Sequence, residues 1–311
     1  MPFTPSHAVV ALPFLRTPLI PAAIAVGAMA PDLPLFVRAV VPSYARTHDF
    51  AWLPLTVLVA LALLVLWRCV FRPAARELAP NWLADRLPVE WNPGAAPALR
   101  ETFAISGAPA RASLRGILLL VVSLAFGVAT HILWDLFTHE GRAGTELLPI
   151  LNEFWGPLTG FKWLQHGSSA IGLLILAIFG ALWLRRRPVV ASTRVLPTWV
   201  RVAWWISLPA LLVGAWVWGM LALGPFTAHW TFQHLAYRVL PPAAAMFGAL
   251  TLVLCVVVQV RRGAQDRAAQ NTSAQNNSAQ NSSAQNSSAQ NSSAQNNSAR
   301  PSTDQRGNHS A

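Results

Sequence analysis

Charge is the scarcest commodity in this chain. Only 11% of its 311 residues are charged and 54% are hydrophobic, whereas an ordinary soluble domain carries roughly a quarter charged residues. That balance excludes a water-soluble globular protein. Lysine is almost missing: Lys162 stands alone among 23 basic residues. Cysteine is nearly as rare, with Cys69 and Cys255 both in or beside apolar runs and no CxxC spacing, which excludes a disulfide framework and a zinc knuckle. GxSxG, P-loop and GxGxxG patterns are missing, as is a cysteine nucleophile with a nearby base, so acyl-enzyme and nucleotide chemistry have no motif to rest on. Met1 to His7 has no basic residue ahead of its apolar stretch and no small-residue cleavage pattern behind it, so the first helices are expected to remain in the mature protein.

What is present is hydrocarbon punctuated by proline and tryptophan. The chain has 24 Pro and 14 Trp, a mixture suited to membrane helices with interfacial aromatic belts and proline-set kinks and loops. Five stretches are long enough to cross a hydrocarbon core of about 30 Å: Ala51 to Phe71, Gly116 to Phe137, Gly167 to Leu184, Val202 to Leu223 and Pro241 to Val260. Ahead of them the apolar stretch from Ala8 to Val41 is broken by Pro13, Pro18, Pro21, Pro31 and Pro34. The breaks predict a helical hairpin, with arms over Ser6 to Leu15 and Leu19 to Ala30 joined at Arg16-Thr17-Pro18. The expected fold is therefore an all-α polytopic membrane bundle over residues 1–262, with a tail from 263 to 311.

The formal charge of +11 could signal nucleic acid, but the arginines flank apolar runs instead of covering one polar face, and no nucleic-acid partner is expected. Arg68, Arg72, Arg76, Arg86, Arg100, Arg111 and Arg115 cluster around the first long connection. Arg185 to Arg187, Arg194 and Arg201 fill another, and Arg261, Arg262 and Arg267 follow the last span. These segments occur at alternate connections, as the positive-inside rule requires if all are cytoplasmic. The expectation is a multi-pass inner-membrane protein in contact with membrane lipids, its C-terminus in the cytoplasm. From Gln270 to Ala299 the sequence is six copies of Gln-Asn-(Thr/Asn/Ser)-Ser-Ala, a composition that cannot bury a core and predicts a disordered tail.

Ionisable residues in apolar segments are costly and mark candidate sites. The strongest pattern is His131-Ile-Leu-Trp-Asp135-Leu-Phe-Thr138-His139 at the end of the second span. Steps of four residues advance only about 40° around a helix, so His131 and Asp135 share one face. Two readings stand: ligation of one divalent ion, as with helical histidine pairs four apart in zinc proteases, or a hydrogen-bonded pair that locks two helices. His7, Asp32 and His48 can reach the same membrane face from three other segments, and Gln165, Ser168 and Ser169 can add hydrogen bonds there. His229 and His234 lie on an interfacial amphipathic stretch and read as structural.

These residues also carry a resemblance. Met1-Pro2-Phe3-Thr4-Pro5-Ser6-His7, Met29-Ala30-Pro31-Asp32, Thr47-His48, His131-x-x-Trp134-Asp135-x-Phe137-Thr138-His139 and Leu164-Gln165-x-Gly167-Ser168-Ser169 together resemble the bacterial membrane domain-of-unknown-function family 4184. That family is similar to inner-membrane proteins described as LexA-binding, metal-dependent hydrolases. The resemblance implies a divalent metal, zinc by choice, at His7, Asp32, His48, His131 and Asp135, and hydrolysis of a phosphoester or another ester. In the related pattern a serine follows the Thr-His step, whereas here Asp49 follows His48. Asp49 or Glu140 would then serve as catalytic base, with Thr138, His139, Gln165 and Ser168 around the ligands. Two other functions stay open: a non-catalytic scaffold or partner-binding protein, and a small-solute transporter using Asp32 and Asp135 as a relay.

Overall fold

The computed structural model describes residues 4–37, 43–107, 110–227 and 229–298. The chain begins with a hairpin. Its first arm is a 3-10 helix, Thr4–Phe14, where an α-helix over Ser6 to Leu15 is expected. Pro5 near its start and Pro13 near its end offer no amide to an i−4 carbonyl. Thr17 closes the turn by donating its hydroxyl and its amide to the Phe14 carbonyl.

The second arm is helix α1, Pro21–Met29, with proline in its first turn, where the missing amide costs nothing. The amide of Ile20, one of the donors a helix start leaves without an intrahelical partner, donates to Ser123 Oγ at 2.9 Å. Past Met29 the helix tightens into a 3-10 segment, Ala30–Leu35, around Pro31 and Pro34, and this segment carries Asp32. A four-residue helix α2, Tyr44–Thr47, presents His48 at its end.

Among the described residues, five helices are long and apolar enough to cross a membrane. The first, Phe50–Leu78, is composite: α3, Leu53–Leu66, runs into a π-helical turn at Trp67–Phe71. The others are α4, Leu114–Thr138, α5, Gly160–Arg185, α6, Thr198–Leu223, and α7, Phe232–Ser298, of which Phe232–Ser278 contains the apolar window. All five expected spans are present, each extended at one or both ends, because helices continue into polar first and last turns that a hydropathy run leaves out. In α5 the extension begins at Gly160 and takes Lys162, Gln165 and His166 into the helix. Along α6 only Gly219 is buried, while Trp205, Ile206, Val213 and Trp218 are exposed, as a lipid-facing surface requires.

Two structural units divide the chain, residues 1–259 and 260–311. In the second, helical backbone continues as far as Ser298, where the repeat composition predicts disorder. Its described side chains from 264 to 278 are all exposed, and Thr272, Ser273 and Ser278 donate hydroxyls to carbonyls four residues back. The segment is thus a helix held by local bonds, without an apolar face.

The first unit packs around α1, α3 and α4, where Ala23, Ala60, Leu64, Leu120, Leu124 and Val128 share one core. Glycine decides how close α1 and α4 come. A Cβ on Gly127 would fall on the Ile24 carbonyl oxygen, and one on Gly27 on the Leu124 carbonyl oxygen. Small residues at such crossings let two backbones touch. One turn beyond this contact lie Ala28 on α1 and His131 on α4.

At the opposite end of the bundle the arginine-rich connections are tied together. Glu77, fully buried, accepts from the amides of Val195 and Leu196 at 3.1 and 3.0 Å, and the Arg194 guanidinium donates to the carbonyls of Arg76, Glu77 and Ala79. The Ser192 hydroxyl and amide both donate to Asp85 and hold its carboxyl below the usual carboxylate range. Arg72 does the same for Glu101.

Candidate metal centre

His48 and His131 are aimed before they meet. The His131 ring sits on α4, where its Nδ1 is 2.7 Å from the Ala28 carbonyl oxygen, a distance the Gly27–Gly127 approach makes possible. The His48 Nδ1 is 2.9 Å from the Tyr44 carbonyl oxygen, and the Tyr44 ring stacks on the imidazole at 3.8 Å between centroids. A carbonyl oxygen only accepts, so each Nδ1 carries the proton and each Nε2 presents a lone pair. Those two Nε2 atoms face each other at 3.1 Å, buried.

Two carboxylates close on the same point. Asp135 Oδ2 lies 3.4 Å from His48 Nε2 and 3.5 Å from His131 Nε2, and Asp32 Oδ1 lies 3.6 and 3.7 Å from the same two nitrogens. The four side chains are all buried. Asp135 Oδ2 has no hydrogen-bond partner among the described residues, although a buried carboxylate oxygen without one is costly.

This arrangement fits a cation. Donors around a tetrahedral zinc with bonds of about 2.0–2.1 Å stand about 3.4 Å apart, and the five distances here run from 3.1 to 3.7 Å. Two lone pairs pointing at each other beside two carboxylates repel unless something positive lies among them. The donor set of imidazole and carboxylate, without thiolate, suits zinc and its first-row neighbours.

His7 joins from the first arm. Its ring lies 4.2 Å from that of His131, and its donor is within 4.8 Å of donors on Asp32 and His131. His7 Nε2 is a second buried atom with no hydrogen-bond partner among the described residues. The structure thus brings together all five residues that the sequence singles out.

The surrounding residues divide. His139 places Nδ1 3.5 Å from Asp135 Oδ2, and its Nε2 is 3.3 Å from the Gln165 amide nitrogen. His139 is held below its ordinary pKa by burial, against the pull of Asp135. Thr138 lies at the edge of hydrogen-bond reach of Asp135 Oδ1, 3.5 Å away. Ser168 is further out, accepting from the Trp134 indole at 3.2 Å, and Ser169 bonds to the Gln165 carbonyl within α5.

Asp49 and Glu140 lie outside the cluster. Asp49 is exposed and its Oδ1 accepts from the Ala51 amide at 2.9 Å, capping the short helix Phe50–Trp52. Glu140 is exposed in the turn after α4. Neither belongs to the His/Asp groups within metal-binding reach among the described residues. Adjacency in sequence put Asp49 beside His48, but a residue entering a helix turns its side chain back onto the first amides. Asp49→Ala is accordingly expected to cost about 1 kcal/mol in thermal unfolding, the worth of a cap, and to leave bound metal unchanged; parallel metal analysis checks both.

Three contributors are absent from the sequence-derived set. Thr4 donates to Asp32 Oδ2 at 2.7 Å, Thr47 donates to the Pro31 carbonyl at 2.8 Å, and Tyr44 holds His48. Thr47 thereby ties α2 to the turn that carries Asp32. Thr4 and Thr47 stand beside His7 and His48 in the motifs quoted above, which was the available signal; a backbone acceptor such as Ala28 has none.

Residues 1–260 match the family described as a domain of unknown function, DUF4184. The chain belongs to this family. Every residue of the cluster falls within the matched DUF4184 segment, and the repeat lies outside it. No curated protein and no solved structure matches the chain.

Proposed function

We propose that this DUF4184 protein is a membrane-embedded, metal-dependent hydrolase of phosphoester or other ester substrates, with one zinc ion held by Asp32, His48, His131 and Asp135 and with His7 completing the set. One observation carries the reading: two buried imidazole lone pairs converge with a buried carboxylate oxygen that has no hydrogen-bond partner among the described residues. The chemistry such an ion supplies when bound is Lewis acidity, which polarises an ester oxygen and acidifies water. The chain's own residues do the rest. The Ala28 and Tyr44 carbonyls fix both imidazole tautomers, Thr4 holds Asp32, and His139, itself steadied by Gln165, stands beside Asp135.

Hydrolysis of a generic aryl phosphoester by purified protein in detergent tests the activity. Asp135→Asn keeps the shape of the side chain but removes its charge, and a loss of roughly a hundredfold or more is expected, as when a metal ligand or its close partner is changed. Activity unaltered in Asp135→Asn would sink the hydrolase reading.

A second reading replaces the metal with protons. The 3.1 Å between His48 and His131 Nε2 can be spanned by one proton, giving a hydrogen-bonded lock in a non-catalytic scaffold. It predicts no bound metal.

The site lies at the end of the bundle opposite the arginine-rich connections, since α4 finishes at it and α5 starts beside it. Under the positive-inside rule the arginines face the cytoplasm and the site the other side of the inner membrane. A reporter that matures only in the cytoplasm, fused after Arg187, should be active; inactivity there reverses the orientation.

A further inference from the structure

A cavity of about 640 Å³ adjoins the cluster between the first arm, α4 and α5. Its size is that of a small-molecule site. Its walls are hydrocarbon for the most part, with Val10, Leu133, Phe137, Ile171 and Ile175 among them, and His7 is the only ionisable one among the described residues that line it. His7 is also the member of the cluster whose ring lies against His131. The cavity therefore has a chemical direction, with hydrocarbon along its length and the polar cluster at the His7 edge.

What can enter is limited by where the walls are. Leu133 and Phe137 belong to α4, Ile171 and Ile175 to α5, and both helices are long and apolar enough to cross a membrane. Leu133, Ile171 and Ile175 are also exposed, and an exposed apolar side chain on a membrane-spanning helix meets acyl chains, so the phase in contact with this cavity is the acyl-chain region. A small polar ester would gain nothing from such walls, whereas a molecule with a hydrocarbon tail and one polar end matches both parts.

We propose, building on the reading of the cluster as a metal-dependent hydrolytic site, that its substrate is a single-chain lipid ester or phosphoester whose tail lies in this cavity and whose head group meets the cluster at His7. In the phosphoester case the oxygen of water bonds to phosphorus, the bond from phosphorus to the leaving alcohol oxygen breaks, and that oxygen takes up a proton. No oxidant or reductant is needed.

The test uses a lysophosphatidate probe with a diazirine in mid-chain, photolysed with the full-length protein in phosphatidylcholine nanodiscs. Adducts are mapped by mass spectrometry, and metal content is measured on the same samples. Two variants fill the cavity from opposite walls, Val10→Phe and Ile175→Trp. The expected result is adducts concentrated in residues 4–14, 130–137 and 168–175, reduced roughly tenfold by each variant, as expected when the tail loses its burial, with metal content unchanged. Adducts spread evenly over all five spans, or insensitive to both variants, overturn the proposal. Metal-free wild type with adducts that still respond to both variants would sink the hydrolytic reading while supporting the tail site, so the two failures are distinguishable.

Discussion

His131→Ala is expected to empty the metal centre and to destabilise the bundle together. The ring supplies one of the two opposed Nε2 donors and, through Nδ1, ties α4 to the Ala28 carbonyl of α1. Its loss leaves His48, Asp32 and Asp135 buried with a partner missing. Removing one member of a buried charged constellation costs about 3–5 kcal/mol, and the stabilisation that a bound ligand gives, about 2.7 kcal/mol at a hundred times its dissociation constant, goes as well. Thermal unfolding in detergent with and without added zinc separates the two effects. Wild type should melt higher with zinc and lower with chelator, and His131→Ala should melt low and respond to neither. A variant that still gains stability from zinc would mean that His131 is not a ligand.

The second large effect belongs to the helix crossing. In Gly127→Leu a side chain replaces a hydrogen atom that faces the Ile24 carbonyl oxygen and the Ala28 amide nitrogen. The α1 and α4 backbones must separate, which carries the Ala28 carbonyl away from His131 and Asp32 away from Asp135. Overpacking costs about 1–3 kcal/mol when side chains can yield. Here the obstacle is backbone, so the cost is expected at or above the top of that range, with metal binding lost although no ligand is altered. Gly180→Leu on α5, where an added Cβ meets nothing within 4 Å, is the control. Near-normal stability and metal content in Gly127→Leu would contradict the close crossing.

How much of this was legible in the sequence follows from the range of each interaction. His131 and Asp135 were legible because a helix brings residues four apart onto one face without help from the rest of the fold. The five spans were legible because the cost of polar groups in hydrocarbon is local and additive, and their ends were not, because Lys162, Gln165 and His166 are polar residues in helical backbone. Asp32 and His48 stood out as ionisable groups beside apolar runs, yet their distances to His131 are set by the Gly27–Gly127 contact between segments 100 residues apart. Pattern reasoning has no access to such a contact. Asp49 shows a second local interaction that sequence order does not reveal. Its position next to His48 suggested a shared role, and the start of a helix gave it a different one. The 3-10 conformation of the first arm and the helical repeat are local choices among conformations close in energy, where composition discriminates poorly.

The cluster also shows why composition and site belong together. A membrane bundle with few charges can keep two aspartates and two histidines buried, with a third half-buried, only if they satisfy one another or a bound ion, and here three of the partners are backbone or hydroxyl groups on neighbouring segments.

The most direct test of the account is the metal content of wild-type protein purified in detergent without chelator, measured by elemental mass spectrometry beside His131→Ala. About one zinc or other first-row ion per chain in wild type, and next to none in the variant, is the predicted result. No stoichiometric metal in wild type, or an equal amount in both proteins, would contradict it.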